Sequence, residues 1–550
     1  MNAPSFPTAP LRPPSKVMRL SQMGAFHPTR LSFTRTLIRD LAAERARPER
    51  TLWALDEEGY GRAVLTVRLG GRPYSLVAFS TPLEPEQRTD RVIAEAWDST
   101  YALYDGVPNR AALDRLERNA PRQEAGRFTE TELVLSRANK SQRLFAHVVD
   151  RLSAGEQPDA AMIDQVGYLM RTTAVYGNGK FGVADHDMIS GRAHLGGPFR
   201  AEMLAVWLIR EFTLLLAQHV AAARNPSAAT LSPHLRRHLG VGNATGLGMA
   251  PFLVSHPLLL NNWMLARETA LARVLALAAA EDGSLSRFGF LLDRARAHAA
   301  SWSVEDQRQM KRIERLRREL AEISPPSGPS PWRRLFDQPR SAEGEEMLVS
   351  LLIETHPHLV DDLPGRMGAP MAMRLDPGEP VSALRDRLLR DYDWALAIDF
   401  DQQKETRRFW YVSADKLEPR LGDRYAEPGS DLERPLDIAR RAQALAAALE
   451  RASGTLTVAE FLGQHPDQRA MVRRVQSAER HPYMEIRDNL IGEECLPIDM
   501  LRSKLSLFGA SKFDPKSDLW TRVTLFQGAP TGQEIAEPGA DDWAFPVLSA

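Results

Sequence analysis

The segment RTTAVYGNGKFGVADHD, Arg171 to Asp187, carries residue types suited to holding an anion. A helix would deliver Arg171, Thr172 and Thr173 and then break at Gly177-Asn178-Gly179. Glycine reaches positive φ without strain, and asparagine tolerates it. A turn of that kind aims successive backbone N–H groups at one point. Arg171 and Lys180 would add charge and Thr172 a hydroxyl, a set that suits a carboxylate, phosphate or sulfonate. The plainer reading is a helix end followed by a tight turn. The order G-K-[ST] of a phosphate-binding P-loop is absent.

The second segment is GVGNATGLGMAPFLVSHP, Gly240 to Pro257, with four glycines between Gly240 and Gly248. Here the backbone is either very mobile or very close to something, a ligand or another helix. Asn243 and Thr245 are its polar members. The third glycine of GxGxxG is Thr245 and no strand is expected before it, so a dinucleotide fold is rejected. SHPLLLNNWMLARE follows, with His256 ahead of Pro257 and with Asn261 and Asn262 inside an apolar helix. A mid-helix asparagine is unfavourable, and a buried amide needs a partner. That partner is either a network among helices or a ligand.

Other clusters carry less. Asp185, His186 and Asp187 are consecutive, and consecutive residues rarely reach one ion together. No HExxH, paired histidine or CxxC is present, so neither a metal nor a cofactor is expected. Cys495 follows Glu493 and Glu494, which would raise its pKa, and reads as a structural thiol. Arg19, His27, Arg30 and Arg35 surround a Gly/Pro turn and could cover an anionic site, meet an acidic surface, or simply open a helix.

These residues need a scaffold. The runs TLWAL, AVLTVRL and YSLVAFS, separated by EEGYG and GGRP, predict a three-stranded meander over 51–80. Helical periodicity is expected at Ser32–Arg45, Thr129–Ser153, Asp159–Tyr176, Phe199–Arg224, Pro257–Ala280 and Ser303–Ile323. The Phe199–Arg224 segment is apolar almost all round and reads as a buried core helix. Its charges Glu202, Arg210 and Glu211 argue against a membrane span. ISPPSGPSPWRRLF, Ile323 to Phe336, cannot continue a helix and marks a boundary. Beyond it, Trp394–Phe400 and Arg408–Ser413 suggest a hairpin, Pro435–Ser453 a helix, and Trp520–Phe526 a strand.

The expected class is therefore mainly α with minor β (α+β), a large helical bundle core with small antiparallel meander and hairpin elements. Its parts are a Pro-rich arm and helix at 1–50, a small α+β segment at 51–128 and a helical core at 129–323. A Pro-rich linker or loop at 324–345 and an α+β region at 346–550 complete it. Over the 550 residues, 70 Lys and Arg balance 71 Asp and Glu, which argues against a general polyanion binder. One cysteine excludes an internal disulfide. MNAPSFPTAPLRPPS has no apolar core, so it reads as a mobile arm rather than a signal peptide, and the cytoplasm is the expected compartment.

The leading expectation is a soluble enzyme binding a small anionic metabolite in the helical core, with no membrane partner and with nucleic acid disfavoured. Arg171, Thr172, Asn178, Lys180, Asn243, Thr245, Asn261 and Asn262 would hold the substrate. Tyr176 or His256 would move a proton in cofactor-free lyase or isomerase chemistry. The alternatives are a binding or scaffold protein using Arg35–Arg50, Arg308–Arg318 and Arg333–Arg340, and an enzyme whose cofactor binds without a visible motif. The Arg runs alternate with acids, as solvated helix faces do.

Overall fold

The computed structural model describes residues 6, 8–24, 29–84, 96–122, 127–172, 191–192, 194–197, 199–245, 257–302, 304, 306–365, 373–400, 412–413, 416–417, 435–487, 502, 505–515, 521–544 and 547–548. The chain forms two compact units, each assembled from three separated stretches. One unit takes Phe26–Thr245, Ser286–Pro325 and Leu505–Ala550, and is called the sheet unit below. The other takes Met1–Ala25, Gly246–Leu285 and Pro326–Lys504, and is called the helical unit. The Pro-rich stretch at 323–336 contains the passage from one to the other at Pro325–Pro326.

Among the described residues eleven strands are formed: β1 Glu49–Leu55, β2 Gly61–Leu69, β3 Arg72–Ser80, β4 Ser99–Asp105, β5 Glu132–Lys140, β6 Tyr168–Thr172, β7 Gly240–Thr245, β8 Val412–Ser413, β9 Lys416–Leu417, β10 Ala510–Pro515 and β11 Thr521–Leu525. The sheet unit holds nine of them in the order β1-β2-β3-β4-β5-β6-β7-β11-β10. Neighbours pair antiparallel except β6 and β7, which run parallel. The architecture is mixed α/β and largely helical, and β1–β3 are the expected meander.

From β2 to β6 the sheet is largely buried on both faces. Val64, Val77, Ala102 and Leu135 form one row across β2 to β5. That row belongs to a core shared with Leu116 and Ala120, which place the Arg110–Asn119 helix on this face. Asn109 caps that helix, its side chain accepting from the Ala112 N–H at 2.9 Å. The opposite face takes the Arg200–Arg224 helix, whose Phe212 ring lies 5.7 Å from Tyr101 and 5.9 Å from Trp53. Among the described residues this is the one helix long and apolar enough to cross a membrane, and 83% of its most apolar window is buried inside the protein.

Four expectations are corrected. Thr129–Ser153 is not one helix: Glu132–Lys140 is β5, and only Phe145–Ser153 is helical. β5 is buried on both faces, so its sequence lacks the alternation that marks a half-exposed strand, and pairing with β4 and β6 decides its state. The helix expected over Asp159–Tyr176 stops at Val166, because Gly167 takes φ 77° as its left-handed cap, and the chain continues as β6. Gly240–Thr245 is itself a strand. Finally, Asp393–Leu396 is helical rather than the start of a hairpin, and Val412–Ser413 pairs with Lys416–Leu417. The segment 129–323 is therefore no pure helical core, since it supplies three of the sheet's nine strands.

In the helical unit, the Pro257–Leu275 and Ala342–Thr355 helices pack together. The described part of the N-terminal arm is not mobile but stitched onto this unit. Ala9 N–H donates to Ala272 O at 3.1 Å, and Arg487 N–H to Met18 O at 2.8 Å. Arg12 is buried, with Nε and Nη2 on the Glu268 carboxylate at 2.8 and 2.7 Å and Nη1 on Glu346 at 2.7 Å. Arg267 completes this network through its own bond to Glu346.

Candidate functional site

Of the residues selected from sequence, Tyr176, Asn178, Lys180 and His256 lie outside the described residues, as do Asp185, His186, Asp187 and Cys495. Arg171 and Thr172 end β6, Asn243 and Thr245 end β7, and the register sets Arg171 opposite Gly242. These four thus come together on neighbouring strands of a sheet, not on helices. Asn243 is fully buried and its Nδ2 donates to Thr172 O at 2.8 Å. Thr172 Oγ1 shares a 2.5 Å bond with Ser136 Oγ. Two of the glycines here serve strand packing: a Cβ on Gly240 would meet Leu525 O at 2.3 Å, and one on Gly242 the Tyr168 ring at 2.7 Å. Because β6 and β7 are parallel, their C-terminal ends lie side by side.

Asn261 and Asn262 belong to the helical unit. Asn261 Oδ1 accepts from the Tyr483 N–H at 3.1 Å, and its Nδ2 lies 3.4 Å from His481 Nδ1. Asn261 therefore ties its helix to the 481–483 segment, while the buried Asn262 Nδ2 has no hydrogen-bond partner. In the sheet unit, Arg30 and Arg35 are met by the C-terminal tail. Arg30 Nη1 reaches Asp542 at 3.0 Å, and Arg35 donates to Trp543 O at 2.6 Å with its guanidinium 4.7 Å from the indole.

The sheet unit contains a cavity of about 510 Å³ that the sequence reading did not anticipate. The most buried charged side chain of its lining is Glu211, from the middle of the Arg200–Arg224 helix. Glu211 is 7% exposed and its Oε1 has no hydrogen-bond partner. The other side of the carboxylate accepts the Gly532 N–H. Only glycine fits there, because a Cβ would stand 2.5 Å from Pro48 Cγ and 2.9 Å from Glu211 Oε2. Thr531 holds this turn, its N–H and Oγ1 both donating to Glu534 Oε2, at 2.8 and 3.0 Å.

Burial pushes the Glu211 carboxyl above its ordinary pKa, outweighing Arg210 and the Gly532 N–H, which favour the charged form. Arg210 is committed to the scaffold: it donates to the carbonyls of Leu239, Pro530, Arg237 and Ala529 at 2.6 to 3.0 Å. Burial brings its own pKa down to about 10.

The walls of the cavity are apolar, with Leu65, Leu214 and Leu215. Gln218 bridges Ala229 O and the Leu231 N–H at 3.0 and 3.1 Å, and so fixes the loop that closes one side. Three arginines line the remainder. Arg236 is half-buried and donates to Gln533 Oε1 at 2.6 Å. Arg47 and Arg50 are exposed at the mouth. Arg50 lies 5.7 Å from the Trp53 ring, and Arg47 has no hydrogen-bond or ionic partner among the described residues.

A buried acid whose protonated form is favoured by burial, leucine walls and exposed cations can orient an anion and pass it a proton. The sequence held one signal for this site, the Arg210-Glu211 pair at the centre of an otherwise apolar helix. Among the described residues no group of three or more His, Cys, Asp or Glu is placed to hold a metal ion. Compared with family models, with curated proteins and with solved structures, the chain matches none.

Proposed function

We propose that the protein is an enzyme acting on a small anionic molecule bound in the Glu211 cavity. The observation that carries this reading is the buried Glu211 carboxyl, which has no hydrogen-bond partner at Oε1, in the lining of a cavity that also presents the exposed Arg47 and Arg50. The arginines orient the anion, and Glu211, whose burial favours the protonated form, donates to an oxygen or a leaving group of the substrate. Proton transfer of this kind suits lyase or isomerase chemistry. The parallel ends of β6 and β7, with Arg171 and Asn243, offer a second place where ligands commonly meet a sheet.

The experiment is a calorimetric binding screen of inorganic phosphate, dicarboxylates, monocarboxylates and sulfonates at fixed ionic strength, followed by turnover assays on any binder. At least one anion is expected to bind the wild type and to bind Arg47→Met/Arg50→Met more weakly. Glu211→Gln keeps the shape of the side chain and is expected to bind that anion within a few-fold, while turnover falls about 10²- to 10⁴-fold. Binding by no anion, or equal binding by the double variant, refutes the site. Binding without turnover by any form favours a binding protein.

A further inference from the structure

The arrangement of charge in the cavity restricts the anion further. A compact anion such as phosphate is poorly matched beside Glu211, which offers an acid next to Leu214 and Leu215, and the nearby Arg210 and Arg236 already bond backbone carbonyls and Gln533. If Glu211 ionises, it repels such an ion. The exposed cations are at the mouth, on Arg47 and Arg50, and the third arginine already bonds Gln533. A ligand that satisfies both ends must keep its charge outside and bury an uncharged body.

We infer that the occupant is an amphiphilic monoanion: one carboxylate-type head between Arg47 and Arg50, and an apolar chain or ring running past Leu65, Leu214 and Leu215 toward Glu211. This rests on the proposed function and names its substrate class. The cavity volume of about 510 Å³ accommodates a body of many carbon atoms, well beyond an acetate or phosphate ion. The Glu211 carboxyl then stands at the inner end of the chain, where a hydroxyl or carbonyl of the substrate would be the group that reacts.

The test is calorimetric titration of the full chain with acetate, butanoate, hexanoate and octanoate at constant ionic strength, with inorganic phosphate and 1-octanol as controls. Each buried methylene is expected to tighten binding about fourfold until the cavity is full. Arg47→Met/Arg50→Met, at two exposed positions that leave the core untouched, is expected to weaken octanoate about fivefold or more and to leave 1-octanol unchanged. Affinity that is flat across the series, or phosphate binding as tightly as octanoate, overturns the amphiphile while leaving a small-anion enzyme standing. Octanoate and 1-octanol losing equally in the double variant overturns the placement of the head. Failure of every anion to bind overturns this inference together with the reading it rests on.

Discussion

Replacing Arg12 by Met tests whether the N-terminal arm is structural. The substitution keeps an apolar stem and removes a guanidinium that is 9% exposed. Two carboxylates with no exposed side-chain surface, Glu268 and Glu346, then lose four of their hydrogen bonds. Glu346 keeps Arg267, but Glu268 is left with the Arg267 guanidinium at 3.9 Å. Removing one partner from a buried ionic network costs about 3–5 kcal/mol, most of it the penalty of the stranded charge. The unfolding free energy of the helical unit should fall by about that amount at pH 7, measured by urea titration with tryptophan fluorescence.

The pH dependence supplies an independent check. Burial raises the Glu346 carboxyl, but Arg12 and Arg267 together hold it below its ordinary 4.5. A depressed folded value means stability that is complete above pH 4.5 and is lost as pH falls through the folded value. Without Arg12 the stranded acids take up protons instead. The gap between wild type and variant should therefore narrow below pH 4.5. Glu268→Gln in the Arg12→Met background should recover at least half of the loss. A loss under about 1 kcal/mol at pH 7, unchanged at pH 4, would mean that Arg12 acts only as a surface charge and would refute the reasoning.

Gly532→Ala forces a methyl against Pro48 and Glu211, so a loss of about 1–3 kcal/mol in the sheet unit is expected by chemical denaturation, with weaker ligand binding. Glu211→Gln should gain stability relative to wild type as pH rises. The raised folded value makes the wild-type contribution complete below 4.5 and erodes it above, so a variant that loses ground between pH 5 and 8 would contradict the burial argument. Burial opposes ionisation of Asp542, but Arg287, Arg30 and Arg35 bring its pKa down to about 2. Asp542→Asn should cost on the order of 1 kcal/mol at pH 7, discounted for its exposure, and the difference should vanish as pH drops from 4 to 2 in thermal melts.

The meander was legible because its turns carry glycine and its strands β-formers, both local signals. The buried helix was legible because 25 residues in a row avoid a polar face. β5 and β6 were not, since a strand covered on both faces has no period of its own and its state is set by partners distant in sequence. Gly167 illustrates the gap: one residue ends a helix that periodicity alone extends to Tyr176. The glycines at 240 and 242 were rightly singled out as points of close approach, but what approaches is Leu525 and Tyr168. The cavity was illegible for a related reason. Arg47, Glu211, Arg236 and Gly532 come from four distant stretches, and only the topology of the sheet unit makes them neighbours.

The late position of β10 and β11 sets an order on assembly at the ribosome. β7 has β6 on one side and β11 on the other, and β11 follows it in sequence only after the whole third stretch of the helical unit. Until Thr521–Leu525 has been synthesised, the outer edge of β7 has open N–H and C=O groups and no side chain on Gly240 or Gly242 to guard it. The Arg210 clamp and the Gly532 turn also wait for residues 529–532. The nascent chain must therefore hold a half-built sheet in a soluble state through the making of some 270 further residues, as roughly counted from Thr245 to Thr521, a period in which chaperone binding to that edge would protect it from pairing with another copy.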